Sequence, residues 1–226
     1  MMSYVVHRNI NRVSQSKLDL LKDFGVATAH EAYGRKGLVG TSLHPRIPGS
    51  LISGSAVTVL SHPGDNLMIH VAVEQCKPGD VLVVTTTSES TDGMFGDLLA
   101  TSLMARGVVG LIINAGVRDI AALRELPFPV WSKAVHAQGT VKGTPGSVNI
   151  PIAIDGLIIN PGDAIIADDD GVMAIRNLDV DVVIEASAKR VANEAEKRAK
   201  LASGILGLDM YNLRPLVESL GIKYLD

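Results

Sequence analysis

GDLLATSLMARGVVGLIINAGVRD, residues 96–119, is the stretch whose reading decides the fold. Just before it, Val81-Leu82-Val83-Val84 is an apolar run of strand length. Asp97 to Arg106 then reads as a helix stopped by Gly107, and Val108 to Asn114 as a second buried strand. The pattern predicts a β-α-β crossover. With both strands parallel in one sheet, the helix runs back at ~1.5 Å per residue and the second strand returns at ~3.3 Å per residue. Helix start and strand end then fall on the same edge, so Asp97 and the Arg118-Asp119 pair can share one site. Open α/β sheets hold ligands at the carboxyl ends of their strands. The free N–H groups of Leu98 and Leu99 at a helix start suit a carboxylate. Gly93 and Gly96 would let the backbone approach a ligand, their plainer role being turn formation.

Working outward, the 226 residues hold one domain with an appendage: an α/β core over 1–178 and a C-terminal helical arm over 179–226. Hydrophobic residues at 46% and charged residues at 20% place the chain among ordinary soluble globular proteins. A net charge of -3, with no basic stripe interleaved with aromatics, argues against nucleic-acid binding. The lone Cys76 rules out an intrachain disulfide and reads as a small buried hydrophobe in a reducing compartment, hence a cytoplasmic location. Met1 to Arg8 lacks a signal-type apolar core, and no apolar run approaches the ~20 residues of a membrane span.

The other elements are read the same way. Ser14 caps a helix through Phe24 that Gly25 ends, and a short helix from about Thr28 to Tyr33 carries His30 and Glu31. Gly34, four residues past His30, leaves no second histidine on that helical face, so His30 reads as a packing residue. Ala56 to Leu60 is a strand, and Asn66 to Cys76 an amphipathic helix carrying Leu67, His70, Val71 and Val73. Thr85 to Phe95 is loop. Ile120 to Leu126 is a short helix for which Asp119 is a natural N-cap. Val130–Val135, Val148–Ile154, Leu157–Ile159, Ala164–Ala167 and Val172–Ile175 are strands. Asp168-Asp169-Asp170 lacks the oxygen spacing of a calcium loop and reads as a hairpin turn. Asp181 to Ser203 is a long helix, charged in its later half, and Asp209 to Leu220 a final one.

Asp97, twenty further residues and then Arg118-Asp119 form a D-x20-R-D pattern. With Ala29-His30-Glu31-Ala32, Thr91-Asp92-Gly93, Gly146 to Pro151, Ala167 to Val172, Glu196 to Gly204 and Gly207 to Tyr211, it resembles the class II pyruvate aldolases acting on 4-hydroxy-4-methyl-2-oxoglutarate and 4-carboxy-4-hydroxy-2-oxoadipate. These share a fold with the regulator of ribonuclease E activity, and the resemblance covers nearly the whole chain. It implies a swivelling β/β/α-type single domain with a central parallel β-α-β unit and a C-terminal helical arm.

The resemblance also implies a site and a reaction. Asp119 is the protein ligand of Mg²⁺ or Mn²⁺, and Arg118 contacts the keto or enolate oxygen. Asp97 orders the water that moves the hydroxyl proton. Gly96, Asp97 and the N–H groups of Leu98 and Leu99 hold the 2-oxo acid substrate. Glu31 and Glu194 act in the outer shell or across a subunit boundary, in a homotrimer or homohexamer. Oxaloacetate decarboxylation accompanies the aldol cleavage because it generates the same pyruvate enolate, and the setting is protocatechuate and gallate catabolism. Two rivals stay open: a Schiff-base aldolase using Lys133 or Lys142, which needs a buried lysine, and a non-catalytic protein that binds and regulates a ribonuclease.

Overall fold

The computed structural model describes residues 4–226. In chain order the elements are α1 (Gln15–Ala32), β1 (His44–Pro45), β2 (Ile52–Ser61), α2 (Leu67–Gln75), β3 (Asp80–Thr86), β4 (Gly93–Phe95), α3 (Asp97–Ala105), β5 (Gly110–Val117), α4 (Ile120–Glu125) and β6 (Val130–Val135). They continue with β7 (Ser147–Val148), β8 (Ile152–Ile154), β9 (Leu157–Ile159), β10 (Ala164–Asp168), β11 (Gly171–Ile175), α5 (Val180–Ala202), α6 (Gly207–Met210) and α7 (Arg214–Ser219).

The crossover expected from residues 81–119 is present, because β3 and β5 pair in parallel with Leu82 opposite Leu111 and Val84 opposite Ile113. Around them lies one mixed sheet in the order β1-β6-β5-β3-β2-β10-β11, with β4 added to β5 and β7 to β2. The β2-β3-β5-β6 centre is parallel, and β1, β7, β10 and β11 join antiparallel.

A parallel strand covered on both faces is apolar throughout, and its alternate residues feed two cores. Leu82, Val84, Leu111 and Ile113 face one core with Met68, Ile69 and Ala72 of α2, Leu99, Ala100 and Leu103 of α3, and Leu123 of α4. Val81, Val83 and Ile112 face the other, which the β8–β9 hairpin covers with Ile152, Ile154 and Ile159. Cys76 is buried in the first core, as a small hydrophobe would be. A third cluster packs Leu18, Leu21, Val26 and Ala29 of α1 on β10 and β11 with Val180 and Val183.

Several local readings need correction. The two expected N-terminal helices are one element kinked at Gly25, whose φ 73° and ψ 171° only glycine adopts freely. The kink frees the Val26 N–H, which donates to Asp168 Oδ2 at 2.8 Å. Ser14 makes no side-chain cap bond. The aspartate run serves backbone donors, with Asp168 Oδ1 accepting from Asp170 N at 2.8 Å and Asp169 from Gly49 N at 3.0 Å, as a turn requires. The α2 face was misread: Met68, Ile69, Ala72 and Gln75 are buried, and Leu67, Val71 and Val73 only flank the core. The single strand expected over Val148–Ile154 is split at Asn149, where φ is 58°, into β7 and β8. The expected final helix is likewise broken into α6 and α7, with Asn212 at φ 52° between them.

The chain divides into two compact units, one reaching to Ser187 and the other Ala188–Asp226. In the second, Arg214 pairs with Asp209, and Lys197 Nζ sits 5.3 Å from the Tyr211 ring centroid. Among the described residues, no helix is long and apolar enough to cross a membrane.

Candidate active site

The site is built where β4 and β5 end side by side. Gly93 to Phe95, expected to be loop, is a short strand paired in parallel with Gly116 and Val117. The Arg118 N–H extends this pairing by donating to Phe95 O at 2.8 Å. One residue past β4 the chain turns into α3 with Asp97 in its first turn, and just past β5 come Arg118 and Asp119. All three line one cleft of about 160 Å³ together with Gly96, Leu98 and Leu99. The sequence placed these six residues together, and the geometry does too.

Two glycines make the approach possible. A Cβ on Gly96 would collide with Asp119 Oδ2, and one on Gly93 with the His136 carbonyl and, at 3.1 Å, Arg118 Cβ. Neither has positive φ, so each is required for space.

Asp119 stands at the N-cap position of α4 but makes no side-chain cap bond, its backbone being left-handed at φ 56° and ψ 37°. A non-glycine residue there carries a strain of order 1 kcal/mol. The side chain lines the cleft instead, where Asp119 Oδ2 lies 3.4 Å from Arg118 Nε. Both side chains stay accessible, 46% for Arg118 and 39% for Asp119, so the pair adds little to stability.

The helix start corrects one detail. The Leu98 N–H donates to Asp97 Oδ1 at 2.8 Å and is not a free donor. The Leu99 N–H has no acceptor among the described residues; Phe95 O, four residues back, accepts from Arg118 N.

Residues 23–174 match a family model described as RraA-like, Aldolase/RraA. The chain belongs to this RraA-like family. A Halalkalibacterium halodurans protein named "Putative 4-hydroxy-4-methyl-2-oxoglutarate aldolase" is 27% identical over 202 residues, covering 88% of this chain and 96% of that protein. A Burkholderia multivorans protein of the same name is 32% identical over 148 residues, 64% of this chain and 90% of its own. These names support a lyase. The crystal structure of Streptomyces coelicolor RraAS2, described as an unusual member of the RNase ES inhibitor RraA protein family, aligns with a TM-score of 0.75 at 24% identity. It covers 84% of this chain and 99% of that one, and shows the fold.

The RraA-like cleft has a second wall that the sequence reading did not bring together: Asn66 at the start of α2, His70 one turn on, and Lys142, which it weighed only as a Schiff-base lysine. Asn66 is buried, its Nδ2 donating to Met94 O at 3.1 Å, which fixes the amide orientation and leaves Oδ1 without a partner. Partial burial, and then the neighbouring Lys142 ammonium, hold the His70 imidazole below its ordinary pKa. The only local signal was Asp65-Asn66 ahead of an apolar helix, which reads as an ordinary cap.

Lys142 is exposed, so it lacks the burial a Schiff-base lysine needs, and Lys133 pairs with Glu89 at 3.4 Å outside the cleft lining. Glu31 does not line the cleft, and Glu194 belongs to the second unit. Glu31 pairs with Arg35 at 3.0 Å, and Glu194 with Arg190 at 2.8 Å, one turn back. His30 Nδ1 donates to Lys36 O at 3.1 Å, a packing role as expected.

The donor set fits a hard divalent cation held largely by water and substrate. Asp119 offers an accessible carboxylate released from capping, with Asp97 beside it in the cleft. No group of three or more His, Cys, Asp or Glu among the described residues forms a closed cage.

Proposed function

We propose that this RraA-like protein is a class II pyruvate aldolase. It cleaves 4-hydroxy-4-methyl-2-oxoglutarate to two pyruvates and 4-carboxy-4-hydroxy-2-oxoadipate to pyruvate and oxaloacetate, and decarboxylates oxaloacetate as a side reaction, in cytoplasmic protocatechuate and gallate catabolism. The observation that carries this reading is the meeting of Asp97 with Arg118 and Asp119 in one cleft, where Asp119 leaves its capping role.

The reaction breaks the C3–C4 bond. The C4 hydroxyl loses its proton and becomes a carbonyl, the bonding pair stays with C3 as pyruvate enolate, and C3 then takes a proton. Asp119 would hold Mg²⁺ or Mn²⁺, which when bound supplies Lewis-acid polarisation of the 2-keto oxygen. The Arg118 guanidinium donates to that oxygen, an interaction that strengthens as charge builds on it. The Leu99 N–H, and the Leu98 N–H once it exchanges Asp97 Oδ1 for substrate, take the C1 carboxylate at the helix start. Asp97 orders the water that accepts the hydroxyl proton and returns one to C3.

Glu31 and Glu194 fit this scheme across subunit boundaries of a homotrimer or homohexamer. For Glu194 the trans role is testable by mixing. Asp119→Ala and Glu194→Ala proteins, each a poor catalyst, regain activity toward about one quarter of sites after dissociation and joint reassembly. Recovery absent while wild-type controls recover removes Glu194 from the site. The reaction itself is tested by steady-state assay of both substrates and oxaloacetate, whose specificity ratios also assign the preferred C4 substituent. No turnover of any of the three leaves the ribonuclease-binding reading in its place.

A further inference from the structure

The second wall of the cleft comes from two segments far apart in sequence, and one carboxylate joins them. Asp65 is buried, and its Oδ1 accepts the Leu67 N–H at 2.8 Å at the start of α2. Its Oδ2 accepts the Gly143 and Thr144 N–H groups at 2.8 and 2.7 Å. Backbone bonds stitch the same segments, Asn66 N to Val141 O and Val141 N to Gly64 O, both at 3.0 Å. The Ser61 hydroxyl donates to Asp65 O at 2.7 Å. Asn66 follows Asp65 directly and Lys142 precedes Gly143, so both cleft residues flank atoms that this carboxylate holds.

We propose that Asp65 is a positioning residue for substrate binding: by tying the start of α2 to Gly143 and Thr144 it sets Asn66 Oδ1 and the Lys142 ammonium to receive the hydroxy-carboxylate end of a 2-oxo acid. The chemistry of the two groups selects that ligand. Asn66 Oδ1 is a buried acceptor lacking a donor, which the substrate hydroxyl supplies on binding, before its proton passes to the water that Asp97 orders, and Lys142 is a cation at the cleft, which a carboxylate complements. Asp65 itself is occupied by backbone donors and acts only through its neighbours.

This rests on the aldolase reading, and the experiment separates the two. Wild type, Asp65→Ser, Lys142→Met and the double variant are compared with 4-hydroxy-4-methyl-2-oxoglutarate and Mg²⁺, alongside melting temperature and amide hydrogen exchange at Gly143 and Thr144. Serine keeps an oxygen near Leu67 N but is one atom shorter and releases the loop. Each single change raises KM roughly tenfold, the scale of one charge-assisted contact, with kcat within about threefold. The double variant is no more than about twofold worse than Asp65→Ser, because Lys142 contributes only where Asp65 holds it. Gly143 and Thr144 exchange faster in Asp65→Ser. Penalties that multiply, or an unchanged KM, overturn the proposal. If Asp65→Ser does not fold, Asp65→Asn replaces it, since one amide cannot accept at both ends. Wild type inert toward this substrate sinks the aldolase reading; exchange then decides the clamp, which unchanged rates at Gly143 and Thr144 overturn.

Discussion

The carboxylate of Asp119 lies against the Cα of Gly96, so close that a single added methyl group would overlap its Oδ2. Two residues at the ends of neighbouring parallel strands thus share a space that only glycine leaves open. Gly96→Ala should fold, with a melting temperature lowered by overpacking of roughly 1–3 kcal/mol. It should lose about 10²-fold in kcat/KM, the cost of moving a reacting group by about 1 Å. Activity near wild type in a correctly folded Gly96→Ala protein detaches Asp119 from the chemistry.

Arg118→Lys should be almost as damaging. The ammonium is a point charge on a flexible stem, whereas the guanidinium offers several directed bonds from one plane. A loss of ~10²-fold or more in kcat is expected, with little change in thermal stability because the Arg118–Asp119 pair is solvent-accessible. A large drop in stability with kcat retained would return Arg118 to a structural role.

Asp97→Ala should lower kcat for aldol cleavage by roughly 10²- to 10⁴-fold, the value of a positioned proton-transfer group. The helix start survives, because Ala100 N still donates to Gly96 O. A change confined to KM makes Asp97 a binding residue only.

The core and the cleft's first wall were legible in the sequence because their signals are local. Val81 to Val84 is apolar without alternation, as a strand covered on both faces must be, and Gly107, at φ 75°, ends α3 where the pattern ends it. Strand β4 was hidden because Gly93 to Phe95 is too short to show a period and follows a polar run. The α2 face was misjudged because an element rich in Leu, Val, Met, Ile and Ala offers several apolar stripes, and only the sheet beneath selects one. Asn66, His70 and Lys142 were invisible as a set. Their meeting depends on β7 pairing with β2 and on Asp65 bridging 78 residues of chain.

Acid should expose the Asp65 bridge. Burial works to raise its pKa, but the hydrogen bonds from Leu67, Gly143 and Thr144 outweigh it and hold the carboxyl below the ordinary range. The unfolded chain therefore binds the proton more tightly than the folded one. The stabilisation is fully present above the unfolded value of about 3.9 and is lost as pH falls through the lower folded value. Melting temperatures of wild type and Asp65→Ser should differ most at neutral pH and converge below about pH 4. A gap that stays constant into acid contradicts this.

The most direct test of the central claim is pyruvate release from 4-hydroxy-4-methyl-2-oxoglutarate, measured with the metal-stripped protein, with excess chelator, and after adding back Mg²⁺ or Mn²⁺. Cleavage and oxaloacetate decarboxylation should vanish together on stripping and return together on repletion, because one enolate serves both. Either activity persisting in chelator, with the protein shown to be metal-free, contradicts the account.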